Sequence, residues 1–131
     1  GSLSSNLSGI SIVFIVLISI ASIIILTELT SNTATASTFI PIFGATALGL
    51  GQDPLLLIIP ATLGASCAFM MPVATPPNTI AYASGHLKIS DMIKAGVWLN
   101  IISLIVIGII IALILGPVFD VELNKIPLWI K

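Results

Sequence analysis

The sequence predicts an all-α integral membrane fold: a re-entrant helical hairpin, one discontinuous transmembrane helix and a final transmembrane helix. Three observations lead there. Hydrophobic residues make up 57% of the chain and charged residues 7%, against about 25% charged in soluble domains. Mean hydropathy is +1.24. Long apolar runs alternate with short polar or proline-bearing stretches, and 131 residues at about 20 per crossing leave room for roughly three or four crossings.

The first apolar run, Ile10 to Leu26, is rich in β-branched residues, yet lipid offers its backbone no hydrogen bonds, so it is expected as helix. The polar run Thr27 to Thr35 follows and reads as a break. The next apolar stretch, Ala36 to Leu50, reaches only about 22 Å at 1.5 Å per residue, short of a hydrocarbon core of about 30 Å. It is expected to return to the side it came from, which makes residues 1–52 a re-entrant hairpin whose polar tip must be buried in protein or line a wet cavity. Residues 53–89 are read as the discontinuous helix, with Asp53 as N-cap and Pro54 at the first helical position. That helix is expected from Leu55 to Val73, broken at Ala74-Thr75-Pro76-Pro77-Asn78, and resumed from Thr79 to Ser84, because paired prolines remove two amide donors. Residues 90–131 are read as the last helix and tail, capped by Ser90-Asp91 and stopped by Gly116-Pro117. The tail to Lys131 carries Asp120, Glu122, Lys125 and Trp129 and suits a membrane interface. His86, Lys88 and Lys94 place loop 85–94 on the cytoplasmic side of a cell membrane and the C-terminus outside. No charged stretch precedes the first apolar run, as a secretory signal requires; the abrupt start leads to the expectation that further helices lie upstream.

Several function classes drop out. Four scattered lysines with no arginine give no footprint for nucleic acid. Cys67 stands alone in an apolar stretch, excluding an internal disulfide, and reads as packing. His86 lies in a polar loop with no Cys, His or carboxylate at metal spacing and reads as solvated. No Ser/His/Asp or Cys/His arrangement supports an enzyme, and the glycines from Gly44 to Gly51 read as helix packing. Two readings of Glu28, one turn before the tip, stay open: an intramembrane cation or proton site, and a local structural hydrogen bond.

Ser31-Asn32-Thr33 and Thr75-Pro76-Pro77-Asn78 share one physical logic. A broken helix frees carbonyls that hold a cation, and amides, hydroxyls and positive helix N-termini that hold an anion. The plainer readings are hydroxyl back-bonding within a continuous helix and a proline kink; two polar breaks so close together in so apolar a chain favour a site.

Three segments carry a resemblance: Glu28-Leu29-Thr30-Ser31-Asn32-Thr33-Ala34-Thr35-Ala36, Pro72-Val73-Ala74-Thr75-Pro76-Pro77-Asn78, and Ser84-Gly85-His86-Leu87-Lys88-Ile89-Ser90-Asp91-Met92. Together they closely resemble the divalent anion:sodium symporter family, which includes bacterial dicarboxylate and mammalian citrate transporters. The resemblance implies two inverted repeats, each with a Ser-Asn-Thr tip and a broken helix, and makes this chain the end of the second. It implies a dicarboxylate or citrate held by Ser31, Asn32 and Thr33, with Thr75 and Pro76 completing that side of the pocket. It implies Na⁺ held by Thr27, the Thr30 carbonyl, Asn32 and the Ala74 carbonyl. The function implied is Na⁺-coupled uptake of a succinate-, malate-, fumarate- or citrate-type anion across a lipid bilayer by an elevator-like movement. The N-terminal half of the transporter is the implied partner, and the full-length protein the implied homodimer. Two alternatives stand beside it: a non-transporting structural fragment that needs the N-terminal half, and a sodium-independent exchanger of the same family.

Overall fold

The computed structural model describes residues 2–123 and 125–130, with side chains from residue 11 onward except that of residue 129. Lys131 and the Trp129 side chain, read above as part of an interfacial tail, lie outside the described residues. The chain forms helices α1 (Ser2–Leu29), α2 (Asn32–Gly49), α3 (Leu55–Ala65), α4 (Pro76–Ala83) and α5 (Ile89–Phe119), then a 3₁₀ turn at Leu128–Ile130. Among the described residues there is no strand. Two helices are long and apolar enough to cross a membrane, α1 through Ser11–Leu29 and α5 through Ile89–Phe119.

α2 runs antiparallel to α1 and α3, with Phe39 and Phe43 against Ile23, Ala61 and Ala65 at one end and Ala47 against Leu57 at the other. α5 runs antiparallel to α1, since Leu17 meets Gly108 while Asn100 reaches Glu28. The centre holds Ile20, Ile23 and Leu57, all essentially inaccessible. Lipid is as apolar as these side chains, so close packing matters more here than the hydrophobic effect, and small residues permit it. A Cβ on Gly64 would stand 3.3 Å from Ile23 Cγ2, and one on Gly44 3.1 Å from Ile58 Cδ1. Of the glycines read as packing, Gly44 alone touches a neighbour: nothing lies within 4 Å of a Cβ on Gly49 or Gly51. Gly51 instead takes φ +70 in the α2–α3 turn, a conformation that favours glycine.

Four sequence expectations need correction. The first break is only Thr30 and Ser31, because α1 extends through Leu29 and α2 begins at Asn32. α3 stops at Ala65 rather than Val73, and helix resumes at Pro76 rather than Thr79. Pro76 and Pro77 occupy the first positions of α4, where amides lack partners in any case. α5 starts at Ile89, before Ser90-Asp91, with no side-chain cap, and passes through Pro117 before a left-handed Asp120 ends it. Near the end of a helix, a missing amide costs one bond at a turn that is already fraying. At the α2–α3 turn, Asp53 Oδ1 accepts from the Leu55 amide at 2.9 Å.

Candidate site at two helix breaks

α3 stops at Ala65 although its local sequence permits more helix. Residues 66–71 are small or apolar, and nothing in them forbids helix before Pro72. In a continued helix the Phe69 amide would bond the Ala65 carbonyl. Instead, the Thr27 hydroxyl donates to Ala65 O at 2.8 Å, and the Phe69 amide donates to Glu28 Oε1 at 2.8 Å. Two adjacent residues at the end of α1 take over both ends of a helical bond.

The rest of the break is satisfied the same way. The Met70 amide donates to both Glu28 oxygens at 3.0 Å, and the Met71 amide to Oε2 at 3.0 Å. Asn78 Nδ2 donates to Ala68 O at 3.0 Å and Met71 O at 3.1 Å. The Thr79 hydroxyl donates to Pro72 O at 2.6 Å. Buried backbone groups must find partners, and here side chains from two segments, the end of α1 and the start of α4, supply them.

The tip is arranged more simply. Ser31 is extended, with φ -68 and ψ 144, and its Oγ accepts from the Ala34 amide at 3.1 Å as the N-cap of α2. Thr75 does the same for α4, accepting from Asn78 N at 3.4 Å. Both breaks therefore present a hydroxyl-capped helix N-terminus, which favours negative charge. Thr30 bonds back to Leu26 O at 3.0 Å and pairs with the Thr35 hydroxyl; Ser37 bonds back to Thr33 O. The back-bonding reading holds at those two hydroxyls, but not at Thr27.

Three oxygens from three segments meet at Thr27: its own Oγ1, Asn32 Oδ1 at 2.6 Å and Ala65 O at 2.8 Å. One hydroxyl proton cannot serve two acceptors at once. A cluster with surplus oxygen lone pairs suits a hard cation such as Na⁺. Of the residues expected around Na⁺, Thr27 and Asn32 are thus in direct contact. For Thr30 and Ala74 the expected ligands are the carbonyls: Thr30 lies in the two-residue break with its hydroxyl on Thr35, and Ala74 is buried in the long break with its amide on Met71 O at 3.2 Å. The Ala65 carbonyl was missed, because a residue inside an unbroken apolar run gives no signal. Of the residues expected around the carboxylate, Ser31 and Thr33 are exposed, Asn32 and Thr75 half-buried, and Pro76 exposed at the start of α4. Among the described residues, no hydrogen bond links Thr75 or Pro76 to the Ser31–Thr33 tip; the breaks are joined through Thr27 and Glu28. Glu28 reaches across the fold to α5 as well, since Asn100 Nδ2 donates to Oε1 at 2.8 Å. Of the two readings left open for Glu28, the structure shows hydrogen bonding, but over a long range rather than locally.

A helical bundle with two apolar spans and polar, hydroxyl-capped helix breaks fits one class, a multi-pass membrane protein. Residues 1–119 match the family described as the sodium:sulfate symporter transmembrane region, and the chain belongs to that family. Among curated relatives, it is 43% identical over 131 residues to the sodium-dependent dicarboxylate transporter SdcS of Staphylococcus aureus strain MRSA252, covering 100% of this chain and 25% of the relative. It is 42% identical to the protein of the same name from strain USA300, with the same coverage. The chain therefore spans about a quarter of the length of the curated relatives it matches.

Proposed function

We propose that this chain is the C-terminal part of a secondary transporter that couples Na⁺ entry to uptake of a di- or tricarboxylate anion. The oxygen cluster of Thr27, Asn32 and Ala65 carries the reading. Na⁺ binds there, with Thr30 and Ala74 as the further oxygen donors, and Ser31, Asn32, Thr33, Thr75 and Pro76 receive one carboxylate at the two helix N-termini. Asn32 sits between the two sites. Each ligand then raises the affinity for the other by the same factor, because a cation that orders the tip also offsets substrate charge.

The names of the relatives support sodium and a dicarboxylate for this chain, and the quarter-length match supports a pocket completed by the N-terminal half. In this reading residues 1–52 form the re-entrant hairpin, 53–89 the discontinuous helix and 90–131 the last helix and tail. Loop 85–94 faces the cytoplasm, the C-terminus lies outside, and the full-length protein is a homodimer. The test is uptake of radiolabelled succinate by the full-length protein in proteoliposomes. Uptake driven by inward Na⁺ and lost when K⁺ replaces it is expected. Counterflow indifferent to that replacement would instead mark a sodium-independent exchanger.

The quarter-length match also favours a second reading, a structural module that binds nothing alone. A dicarboxylate- and Na⁺-dependent thermal shift that appears only when the upstream half is added would support it.

A further inference from the structure

Ala65 O and Phe69 N are spaced for one helical hydrogen bond, and Thr27 and Glu28 have taken one end each. We propose that Glu28 is a positioning residue, oriented by Asn100, whose carboxylate replaces the missing turn of α3. It thereby fixes the tip and the break in one register, on which Na⁺ affinity depends. The dependence on Na⁺ rests on the transport reading; the positioning itself does not.

Glu28 is 4% exposed. Its Oε1 meets Phe69 N, Met70 N and Asn100 Nδ2, and its Oε2 meets Met70 N and Met71 N, all at 2.8–3.0 Å. Successive amides turned to one side form an anion-holding concavity, and the protein fills this one with its own carboxylate. A carboxylate offers about four lone-pair sites. Donors already occupy them, which leaves no room for the cation that a lone intramembrane carboxylate invites.

α5 is built to hold this arrangement. Gly96 and Asn100 lie four residues apart on one face of the helix. A Cβ on Gly96 would stand 2.5 Å from Met70 Cα and 2.7 Å from Met70 N, so only glycine lets α5 approach the amides that Glu28 holds. Asn100 Oδ1 is buried without a hydrogen-bond partner among the described residues. Leaving a buried acceptor unpaired is costly. Glu28 oxygens only accept, so the Asn100 amide must aim its nitrogen at them and leave its oxygen unpaired. The bond to Glu28 decides the orientation.

The test uses the full-length protein and two readouts: the Na⁺ concentration for half-maximal succinate uptake, and hydrogen exchange of the amides of residues 69–71. Glu28→Gln sets a new donor against backbone donors. It should raise the half-maximal Na⁺ concentration about tenfold or more and speed exchange at those amides by a similar factor, since a charge-assisted acceptor is lost. Asn100→Ala keeps the carboxylate and its backbone donors and should shift both readouts about threefold; it decides the matter if the Glu28 variant fails to reach the membrane. A lower maximal rate with an unchanged Na⁺ requirement would overturn the functional role, and unchanged exchange at residues 69–71 would overturn the positioning. If the wild-type protein shows no Na⁺-driven uptake, the transport reading falls, and exchange alone still decides whether Glu28 holds the break.

Discussion

At the tip, between Leu29 and Asn32, the chain leaves the helix for Thr30 and Ser31 alone, whereas between Ala65 and Pro76 it stays irregular across residues 66–75. The short break is closed by its own hydroxyls, Ser31 on the Ala34 amide and Thr30 on Leu26 O. The long one depends on a side chain remote in sequence, Glu28 on three amides, together with Asn78 from the helix that follows, on two carbonyls. The difference follows from the number of backbone groups left over. One extended residue frees few, and a cap satisfies them. A stretch of several residues frees more than local hydroxyls can reach, and lipid supplies no water to finish the task.

The comparison can be sharpened by substitution. Asn32 belongs to both the tip and the oxygen cluster, so Asn32→Ala in the full-length protein should abolish Na⁺ and succinate binding together at unchanged expression. Isothermal titration with each ligand checks this, and retention of either one would move that site elsewhere. Gly96→Ala drives a Cβ to 2.5 Å from Met70 Cα and should destabilise the long break by about 1–3 kcal/mol. Thermal unfolding in detergent should register the loss, while an unchanged midpoint would mean that α5 is free to retreat. Asn78→Ala strips the donors from Ala68 O and Met71 O and should cost about 1–3 kcal/mol. Faster proteolysis within residues 66–75 is its signature. Within the fold, Ser31→Ala removes one cap, at about 1 kcal/mol, and should leave proteolysis of residues 66–75 unchanged. If instead it loosens the long break as much as Asn78→Ala does, the two breaks are not held independently.

The α2–α3 boundary was legible in the sequence because Gly51 acts through local backbone preference, although α3 begins one residue later than expected, at Leu55 with Pro54 rather than Asp53 as N-cap. The capped starts of α2 and α4 were not legible: the sequence put them at Ala36 and Thr79, whereas Ser31 and Thr75 cap helices that begin at Asn32 and Pro76. The polar breaks in so apolar a chain were visible as exceptions to their surroundings. The stop at Ala65 left no such trace. Residues 66–71 read as a continuing helix, and they leave it because Thr27 and Glu28 compete for its hydrogen bonds from another helix. The closeness of α5, which requires glycine at residue 96, is likewise invisible from periodicity. Composition and local propensity thus determined the membrane environment, the helical content and the polar points of interruption. Only the tertiary structure decided where the broken helix ends and which carbonyl joins the oxygen cluster, because both depend on hydrogen bonds between residues about forty apart in the chain.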